Sequence, residues 1–275
     1  MQIVISCAKD MTHPTADVLL ETSIPRFREE AVKAAREMAG HSTATLSREF
    51  KCNEALATLN KERFERFYTD ALEHAETWSD ELCEDLGPAL FTYDGIAFKH
   101  FAPEELQANS LVQVQQHLWI MSFLYGMLRP MDLMLPYRME GAVRLDCHEG
   151  KTMFDWWKPR LTEFLLEAVK ADDGVLLWCS TEEMKRMVDW KRVVREVEVI
   201  EPEFLVSKPS GPGGAPVLKS MSVFAKMCRG RMARLAGTGA LPQQDLERFS
   251  YEGFRFVEAG TGKEGQQKLT FVADK

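Results

Sequence analysis

The sequence predicts an α/β (α+β) protein in which a mixed β-sheet is surrounded by helices. Two unbroken apolar segments, Gln2–Cys7 and Gly174–Cys179, are typical of strands buried on both faces. Amphipathic helical segments lie between them, whereas the end of the chain contains segments that suit antiparallel pairs. Because no internal repeat or linker divides the 275 residues, we expect residues 1–275 to form a single domain.

Composition excludes several classes of protein. Hydrophobic residues make up 45% and charged residues 28%, as expected for a globular protein with a packed core. A formal net charge of -8 argues against coating nucleic acid or anionic membrane with the whole surface, but it allows a local basic patch. The apolar runs are shorter than the roughly 18 residues of a membrane span, and the amino terminus lacks a signal-peptide pattern. We therefore expect a cytoplasmic protein without a membrane partner.

The cysteines and the adjacent metal-capable residues predict no metal site. Six cysteines are scattered without a Cys-x-x-Cys pair, which is typical of reduced thiols rather than of a disulfide or zinc framework. Asp146–Glu149 groups four possible ligands, but neighbouring side chains on a turn point in different directions. The sequence predicts neither a metal nor a cofactor.

The first half of the chain is predicted to be mainly helical. Ile24–Gly40 has an amphipathic pattern, and Thr43–Phe67 predicts one or two helices with a break near Lys51. That break would allow a helix-turn-helix or helix-hairpin-helix arrangement, although its turn contains no glycine. The acid-rich segment Asp70–Asp85 is interpreted as a solvated helix face.

The segment Gln115–Glu140 joins an apolar run to a stretch that contains prolines and charged residues. We expect a long apolar helix that ends at Gly126, followed by an irregular loop over Met127–Tyr137, because Pro130 and Pro136 preclude a continuous helix. The loop and its end carry three charged residues, Arg129, Asp132 and Arg138. They indicate either a buried segment whose charges pair with one another or a rigid loop that presents its arginines to an anion.

The second half alternates helix and strand. Met153–Val169 predicts a helix, and Gly174–Cys179 predicts a buried strand that leads through a Ser180/Glu183 capping box into a helix. The remaining predicted strands are Arg195–Ile200 continued by Phe204–Val206, its partner Val217–Ser220, and a closing hairpin of Phe254–Val257 with Leu269–Val272.

Lys219–Arg234 is basic and contains no acidic residue. At about 100° per residue it predicts a helix with an apolar face and a cationic face. The cationic side comprises Lys219, Lys226, Arg229 and Arg234, with Arg231 at the flank. Lys9 follows the first strand at its carboxyl end, where open α/β sheets place ligands. If Lys9, Arg129 and Arg138 converge on this helix, the cleft would suit a phosphate-bearing partner.

Several motifs resemble those of the YaaA family of bacterial peroxide-stress proteins, and the similarity extends over nearly the whole chain. The matching segments are Ile5-Ser-Cys-Ala-Lys9, Gln115-Gln-His-Leu118, Leu124-Tyr-Gly-Met-Leu-Arg-Pro-Met-Asp-Leu-Met134, Pro136-Tyr-Arg138 and Ser222-Val-Phe-Ala-Lys-Met-Cys-Arg-Gly230. The family usually has proline, arginine and glycine where this chain has Cys7, Trp119 and Phe123.

The resemblance implies a cytoplasmic protein of the hydrogen-peroxide response that helps limit intracellular free iron. It also implies an α/β fold with a positively charged cleft that binds double-stranded DNA. The sequence thus predicts a non-catalytic protein that contacts DNA phosphates without reading sequence, with double-stranded or structured DNA as its partner and no obligatory protein partner. The predicted nucleic-acid-binding residues are Lys9, Arg129, Arg138, Lys219, Lys226, Arg229, Arg231 and Arg234.

The alternative hypothesis is an enzyme that acts on a small phosphorylated or nucleotide-like molecule in the same cleft. Its predicted catalytic residues are Lys9, Tyr125, Asp132 and Arg138, which would supply a base, a proton relay and an anion clamp. The shape of the cleft separates the two hypotheses. An enclosed pocket favours catalysis, whereas an open groove about 20 Å wide favours a duplex.

Overall fold

A computed structural model describes residues 1–12, 20–73, 86–209 and 216–274. Its strands are β1 (Gln2–Ser6), β2 (Gly87–Pro88), β3 (Leu118–Ser122), β4 (Gly126–Leu128), β5 (Leu133–Met134), β6 (Arg144–Leu145), β7 (Lys151–Thr152), β8 (Val175–Cys179), β9 (Glu198–Lys208), β10 (Val217–Ser220), β11 (Ser250–Tyr251), β12 (Phe254–Thr261) and β13 (Gln267–Asp274). Its α-helices are α1 (Arg28–Gly40), α2 (Thr43–Phe50), α3 (Glu54–Glu73), α4 (Ala89–Thr92), α5 (Ile96–Phe101), α6 (Ala108–His117), α7 (Met153–Ala171), α8 (Glu182–Lys185), α9 (Trp190–Glu196) and α10 (Ser222–Gly237). Short 3-10 helices cover Pro103–Glu105, Asp146–His148 and Gln243–Arg248.

Within the described residues, nine strands form one mixed sheet, which confirms the predicted fold class. Eight of them follow the spatial order β11-β12-β13-β9-β8-β1-β3-β4, and β10 pairs with β9. The strands from β13 to β3 in this order run parallel, whereas β4, β10, β11 and β12 pair antiparallel with their neighbours. The predicted hairpin near the end of the chain is confirmed as β12 and β13, and the predicted partner strand as β10.

Strand β1 lies in the middle of the parallel strands. Its Val4 is opposite Trp119 of β3 on one side and Trp178 of β8 on the other. Ile3, Val4 and Ile5 are completely buried, as the unbroken apolar run predicted. Because the chain places β3 on one side of β1 and later places β8 on the other, the winding direction changes at β1. In open α/β sheets, ligands bind at the carboxyl ends of strands where this change occurs.

The predicted break in the first helical segment is confirmed. Helix α2 begins after Ser42, whose hydroxyl accepts a hydrogen bond from the Thr45 N–H at 3.2 Å. It ends at Phe50, the next residue Lys51 has a left-handed φ of 50°, and α3 then begins at Glu54. The predicted solvated face at Asp70–Asp85 falls largely on residues 74–85, which lie outside the described ranges. None of the described helices is long and apolar enough to cross a membrane.

The predicted apolar helix that ends at Gly126 is wrong. Helix α6 ends at His117, and Leu118–Ser122 is strand β3, buried along its whole length. In a short apolar run, the spacing of hydrophobic residues does not distinguish a buried strand from a buried helix. Here the pairing with β1 favours the strand. Gly126 is the first residue of β4, directly after the turn that follows β3, and its φ of 72° suits glycine. The irregular loop predicted for Met127–Tyr137 is confirmed only in part, because Met127 and Leu128 belong to β4 and Leu133–Met134 forms β5.

One further local prediction is wrong, and the start of one predicted strand is displaced. The Ser180 hydroxyl lies 2.6 Å from that of Ser6, and Thr181 takes the position before α8, so no capping box forms. The contact between Ser6 and Ser180 joins residues far apart in the chain, and a local pattern does not reveal it. Strand β9 (Glu198–Lys208) confirms the strand predicted over Arg195–Ile200 and Phe204–Val206, except that Arg195 and Glu196 still belong to α9.

The basic segment forms helix α10, with one correction. The helix begins at Ser222, so Lys219 lies on β10 and does not share its cationic face. The predicted apolar face packs inward, and Cys228 and Met232 are fully buried. At Gly230 a Cβ atom would lie only 1.9 Å from the carbonyl oxygen of Ala97, so glycine allows α10 and α5 to approach closely.

Candidate functional site

A cavity of about 300 Å³ lies at the carboxyl ends of β1, β3 and β8. Its walls include the residues that follow β1, Phe123 after β3, and Thr181 after β8. Helices α5, α8 and α10 and the end of the irregular loop contribute the remaining walls. The charged lining residues are Lys9, Asp10, Arg138, Glu183, Lys226 and Arg229. The cavity therefore occupies the ligand-binding position that the sheet topology indicates.

Lys9 and Arg138 meet at one carboxylate, that of Glu140. Lys9 Nζ donates a hydrogen bond to Glu140 Oε1 at 2.6 Å, and Arg138 Nη2 lies 3.4 Å from the same oxygen. Arg138 Nη2 also donates to the carbonyl oxygen of Phe50 at 3.2 Å. The Lys9 side chain is 58% exposed and that of Arg138 is 14% exposed. The irregular loop thus delivers Arg138 to the end of β1, as predicted for a wall of the cleft.

Lys226 and Arg229 reach the cavity from one face of α10, three residues apart. Among the described residues, neither side chain has a hydrogen-bonded or ion-paired partner, and the Arg229 Nε atom is buried. Burial lowers the pKa of Arg229 from its ordinary value, and surrounding acids such as Glu201 partly offset this effect. These two cations are available to a ligand without first breaking an internal contact.

Tyr137 and Cys7 line the cavity with neutral groups, and Tyr137 belongs to a chain of hydrogen-bonded hydroxyls. The Tyr137 hydroxyl lies 2.7 Å from Ser122 Oγ and 3.0 Å from the Tyr93 hydroxyl. Burial raises the pKa of both tyrosines well above the ordinary value. Burial, reinforced by the charge of Glu183, raises the pKa of Cys7 to about 12. The thiol and the hydroxyls therefore stay protonated near neutral pH and add no negative charge to the cavity.

Arg129 lies at the opposite, amino edge of the sheet. Its guanidinium stacks on the Trp119 ring, 3.4 Å from the ring centroid. Its Nη1 atom donates to the carbonyl oxygens of Gln116 at 2.8 Å and Leu118 at 3.4 Å. Because β4 runs antiparallel to β3, it carries the chain from the carboxyl edge to the amino edge before Arg129. The expected convergence of Arg129 with Arg138 does not occur.

Tyr125 and Asp132, predicted for the enzyme alternative, lie outside the cavity lining. The Tyr125 hydroxyl accepts a hydrogen bond from the Leu135 N–H at 3.0 Å and is fully buried. Asp132 accepts from the Ser23 hydroxyl at 2.7 Å and from the Arg129 backbone N–H at 2.8 Å. Asp132 therefore holds the backbone of Arg129 rather than its guanidinium. Of the predicted catalytic set, only Lys9 and Arg138 meet at the cavity.

The remaining predicted cations also lie outside the cavity lining. Lys219 is exposed on β10, and Arg231 lies over the Tyr251 ring at 5.5 Å from the ring centroid. Arg234 donates to the carbonyl oxygens of Phe101 and Ala102 at the end of α5, at 2.7 and 2.5 Å. It thus fastens α10 to α5 instead of facing a ligand. The helical spacing placed Arg231 and Arg234 on one side of the helix. It could not predict that Arg234 donates to carbonyl groups at the end of α5.

Sequence reasoning missed three acids of the site, Asp10, Glu140 and Glu183. Glu140 is two residues after Arg138, and alternate residues of an extended segment lie on the same side, which is a signal for their proximity. Glu183 was interpreted as part of the capping box, but it lines the cavity. Its position depends on where β8 ends relative to β1, which no local pattern specifies.

The Asp146–Glu149 turn is organised by a neighbouring helix. The backbone N–H groups of Asp146 and Cys147 donate to the Glu37 carboxylate at 2.7 and 2.8 Å. The buried His148 ring stacks on Trp156 with centroids 4.2 Å apart, and burial lowers its pKa to about 4. Across the described part of the chain, no group of three histidine, cysteine, aspartate or glutamate side chains could hold a metal ion.

Comparison with known proteins gives matches over most of the chain. A family model described as peroxide stress protein YaaA matches residues 1–260. A UPF0246 protein of Bacteroides fragilis is 38% identical over 259 residues, which cover 94% of both chains. A UPF0246 protein of Phocaeicola vulgatus is 38% identical over 257 residues, covering 93% of this chain and 94% of the relative. One of Dinoroseobacter shibae is 35% identical over 262 residues, covering 94% and 90% respectively.

Proposed function

We propose, from the premise that this chain belongs to the peroxide stress protein YaaA family and so has a role in peroxide stress, that it acts by binding DNA. The family match confirms the resemblance inferred from the sequence motifs. In this proposal the partner is double-stranded or structured DNA, held through its phosphates without sequence readout. The protein thereby helps to limit intracellular free iron, an effect that the family resemblance implies.

One observation carries the proposal. Lys226 and Arg229 have no partner among the described residues, and they lie beside Lys9 and Arg138 at one edge of a protein whose net charge is -8. Arg229 is half-buried with its Nε atom buried, and a desolvated guanidinium nitrogen without a partner is unfavourable. Phosphate oxygens satisfy such groups well, because charge-assisted hydrogen bonds to them are strong. The exposed Lys219 would add contacts outside the cavity.

A mobility-shift titration tests DNA binding. The wild-type protein is titrated against a fully paired duplex at several salt concentrations, beside the charge-reversal variant Lys226→Glu/Arg229→Glu. We expect a shift at low salt that weakens as salt rises, and at least about a tenfold loss of affinity in the variant. A matched control, Lys158→Glu/Arg195→Glu, changes the net charge equally at exposed positions outside the cavity and should retain wild-type affinity.

Two results would contradict the proposal. One is the absence of a shift at low salt, and the other is equal affinity of the wild-type protein and the Lys226→Glu/Arg229→Glu variant. The iron effect has its own measurement, in cells that carry either double variant. Chelatable iron after peroxide treatment should rise with the cavity variant and stay at the wild-type level with the control. Equal iron levels in the two strains would separate the iron effect from DNA binding.

The small volume of the cavity, about 300 Å³, also favours a second candidate function, catalysis on a small phosphorylated or nucleotide-like substrate. A proton relay through Tyr125 and Asp132 is not available there, because both residues are outside the lining. A catalyst at this position would instead combine Lys9 and Arg138 with the Glu183 carboxylate. Incubation of mononucleotides and oligonucleotides with the protein, followed by mass spectrometry, tests this candidate. Unchanged substrate masses at protein excess would exclude it for those substrates.

A further inference from the structure

We infer that the cavity at the carboxyl ends of β1, β3 and β8 binds a single nucleotide, with its phosphate at the cations and its base against the apolar wall. The inference rests on the proposed function, because it names what part of a DNA partner enters this site. The same chemistry is offered by two sources, a free mononucleotide and an unpaired nucleotide turned out of a duplex. The experiment below distinguishes them.

The size of the cavity limits what can enter. Its volume of about 300 Å³ is at the lower end of the range for small-molecule sites, roughly 300–1,000 Å³. A DNA duplex is about 20 Å wide and cannot enter such a space. A duplex that crosses Lys226 and Arg229 can therefore insert at most one nucleotide that has left the base stack.

The cavity has an apolar side suited to a flat base. Phe123, Ile96 and Met184 lie on its walls, and they come from three separate elements. Bases removed from a stack recover contact energy against aromatic and apolar side chains. Inorganic phosphate or a simple carboxylate would leave this surface uncovered. The apolar wall therefore favours a ligand with a ring system as well as an anionic group.

The acids at the cavity favour the same class of ligand. Asp10 and Glu183 line it together with the four cations. Carboxylates repel a bare anion, but they accept hydrogen bonds from the amino groups that most bases carry. A ligand that has both a phosphate and N–H donors satisfies both kinds of lining group. A nucleotide has this combination.

The two arginines that line the cavity, Arg138 and Arg229, indicate where the phosphate binds. The Nε atoms of Arg138 and Arg229 are buried, and neither has a hydrogen-bond partner among the described residues. The two arginines approach the cavity from different elements, the irregular loop and α10. A phosphate between them would accept hydrogen bonds from both and would compete with Glu140 for Arg138.

The test compares DNA molecules that differ by one unpaired nucleotide. Affinity is measured for a fully paired duplex and for the same duplex with a single unpaired 2-aminopurine nucleotide, whose fluorescence reports unstacking. We expect the wild-type protein to bind the second duplex about tenfold more tightly, with a change in fluorescence on binding. Thermal stabilisation by deoxyguanosine monophosphate, by the deoxynucleoside and by inorganic phosphate tests the free source.

Variants that fill the cavity without changing charge isolate its role. Thr181→Phe and Ala8→Phe place a ring inside the lining, whereas Thr58→Phe places one at an exposed position on α3. We expect both filling variants to keep wild-type affinity for the paired duplex and to lose the preference for the unpaired nucleotide. Thr58→Phe should keep both. Two filling variants are used so that one can replace the other if it does not fold.

The outcomes separate this inference from the proposed function. Binding of the paired duplex without preference for the unpaired nucleotide, and without stabilisation by the mononucleotide, would overturn the inference and leave the proposed function intact. Retention of the preference in both filling variants would overturn it as well. Absence of duplex binding together with stabilisation by the mononucleotide alone, lost on filling, would overturn the proposed function and support the cavity as a nucleotide site.

Discussion

The two edges of the parallel sheet use their charges in opposite ways. At the amino edge, Arg129 stacks on Trp119 and donates to two backbone carbonyls, and the Met1 amine donates to Asp172 and Asp173 at 2.8 and 2.6 Å. At the carboxyl edge, Lys226 and Arg229 have no such partners among the described residues. Positively charged groups therefore stabilise the fold at the amino edge, whereas at the carboxyl edge two of them remain available to a ligand.

This difference indicates how the chain separates stability from binding. Arg129 and Arg138 are only nine positions apart, yet β4 and the loop after it place them at opposite edges. A cation whose donors are satisfied internally stabilises the fold and has little to offer a ligand. A cation left partly desolvated and unpaired lowers stability but is ready to bind an anion. Substitutions at the two edges should therefore have different consequences.

The largest effect is expected where α10 meets α5 beneath the carboxyl edge. Gly230→Ala would place a Cβ 1.9 Å from the Ala97 carbonyl oxygen, which belongs to the backbone and cannot turn away. We expect a loss of about 3 kcal/mol in the free energy of unfolding, measured by urea denaturation, and weaker binding of the paired duplex. Gly40→Ala is the control, because a Cβ there meets no atom within 4 Å. Equal stabilities of the two variants would show that the helix contact is not tight.

The second effect concerns the pH dependence of the amino-edge loop. Burial raises the pKa of Asp132 to about 6 from an ordinary value of 3.8, although its hydrogen bonds from Ser23 and Arg129 oppose the shift. The folded state thus binds this proton more tightly than the unfolded chain does. Its contribution to stability is complete below pH 3.8 and is lost as the pH rises through 6. The loss is on the order of 3 kcal/mol.

Asp132→Asn measures this contribution, because asparagine resembles the protonated acid and keeps an acceptor for the Arg129 N–H. Urea denaturation of the variant and the wild-type protein at pH 4 and pH 7 should show the variant gaining relative stability at the higher pH. The surface substitution Asp146→Asn controls for the loss of one carboxyl group. A relative stability that falls between pH 4 and pH 7 would mean that the two hydrogen bonds outweigh burial.

The third prediction compares one arginine substitution at each edge of the sheet. Arg129→Met removes the hydrogen bonds to Gln116 and Leu118 and the stacking on Trp119, so the free energy of unfolding should fall by about 2 kcal/mol. Its affinity for the paired duplex should not change. Arg229→Met removes an unpartnered cation, so its stability should be retained or raised while duplex affinity falls about tenfold. A loss of affinity in Arg129→Met would contradict the separation between the edges.

The smallest effect is expected at Cys7. Burial raises the pKa of its thiol to about 12, so its thiolate fraction at pH 8 is on the order of a thousandfold below that of an ordinary cysteine. Alkylation by iodoacetamide, followed by peptide mass spectrometry, should leave Cys7 unmodified in the folded protein. Unfolding in urea should expose it, and this sample is the control. Rapid labelling in the folded protein would show that the cavity supports a reactive thiolate.

Local patterns predicted most of the fold, because most elements have a clear period. The buried strand β1, the break at Lys51 and the closing hairpin all follow from patterns within a few residues. Leu118–Ser122 was misassigned because an unbroken apolar run suits a buried helix or a buried strand equally well. Its pairing with β1 decides the matter, and that pairing joins residues more than a hundred positions apart.

Part of the candidate site was also predictable from local patterns. Lys226 and Arg229 were found because three-residue spacing places them on one helix face, and Lys9 because it follows a buried strand. Arg129 and Arg234 were assigned to the cleft, but each meets carbonyl groups contributed by distant segments. No local pattern distinguishes an arginine whose guanidinium donates to backbone carbonyls from one whose guanidinium lines a cavity.

The shared carboxylate of Glu140 has a consequence for the thermodynamics of binding. Each DNA phosphate neutralised by a protein cation normally releases condensed counterions, which gives a salt slope of about -0.9 for each phosphate. Lys9 and Arg138 already have an internal counterion in Glu140. When a phosphate takes its place, the displaced carboxylate recruits cations from solution and offsets part of that release. The measured salt slope should therefore be smaller in magnitude than the number of phosphate contacts predicts. In the Glu140→Gln variant the slope should be steeper.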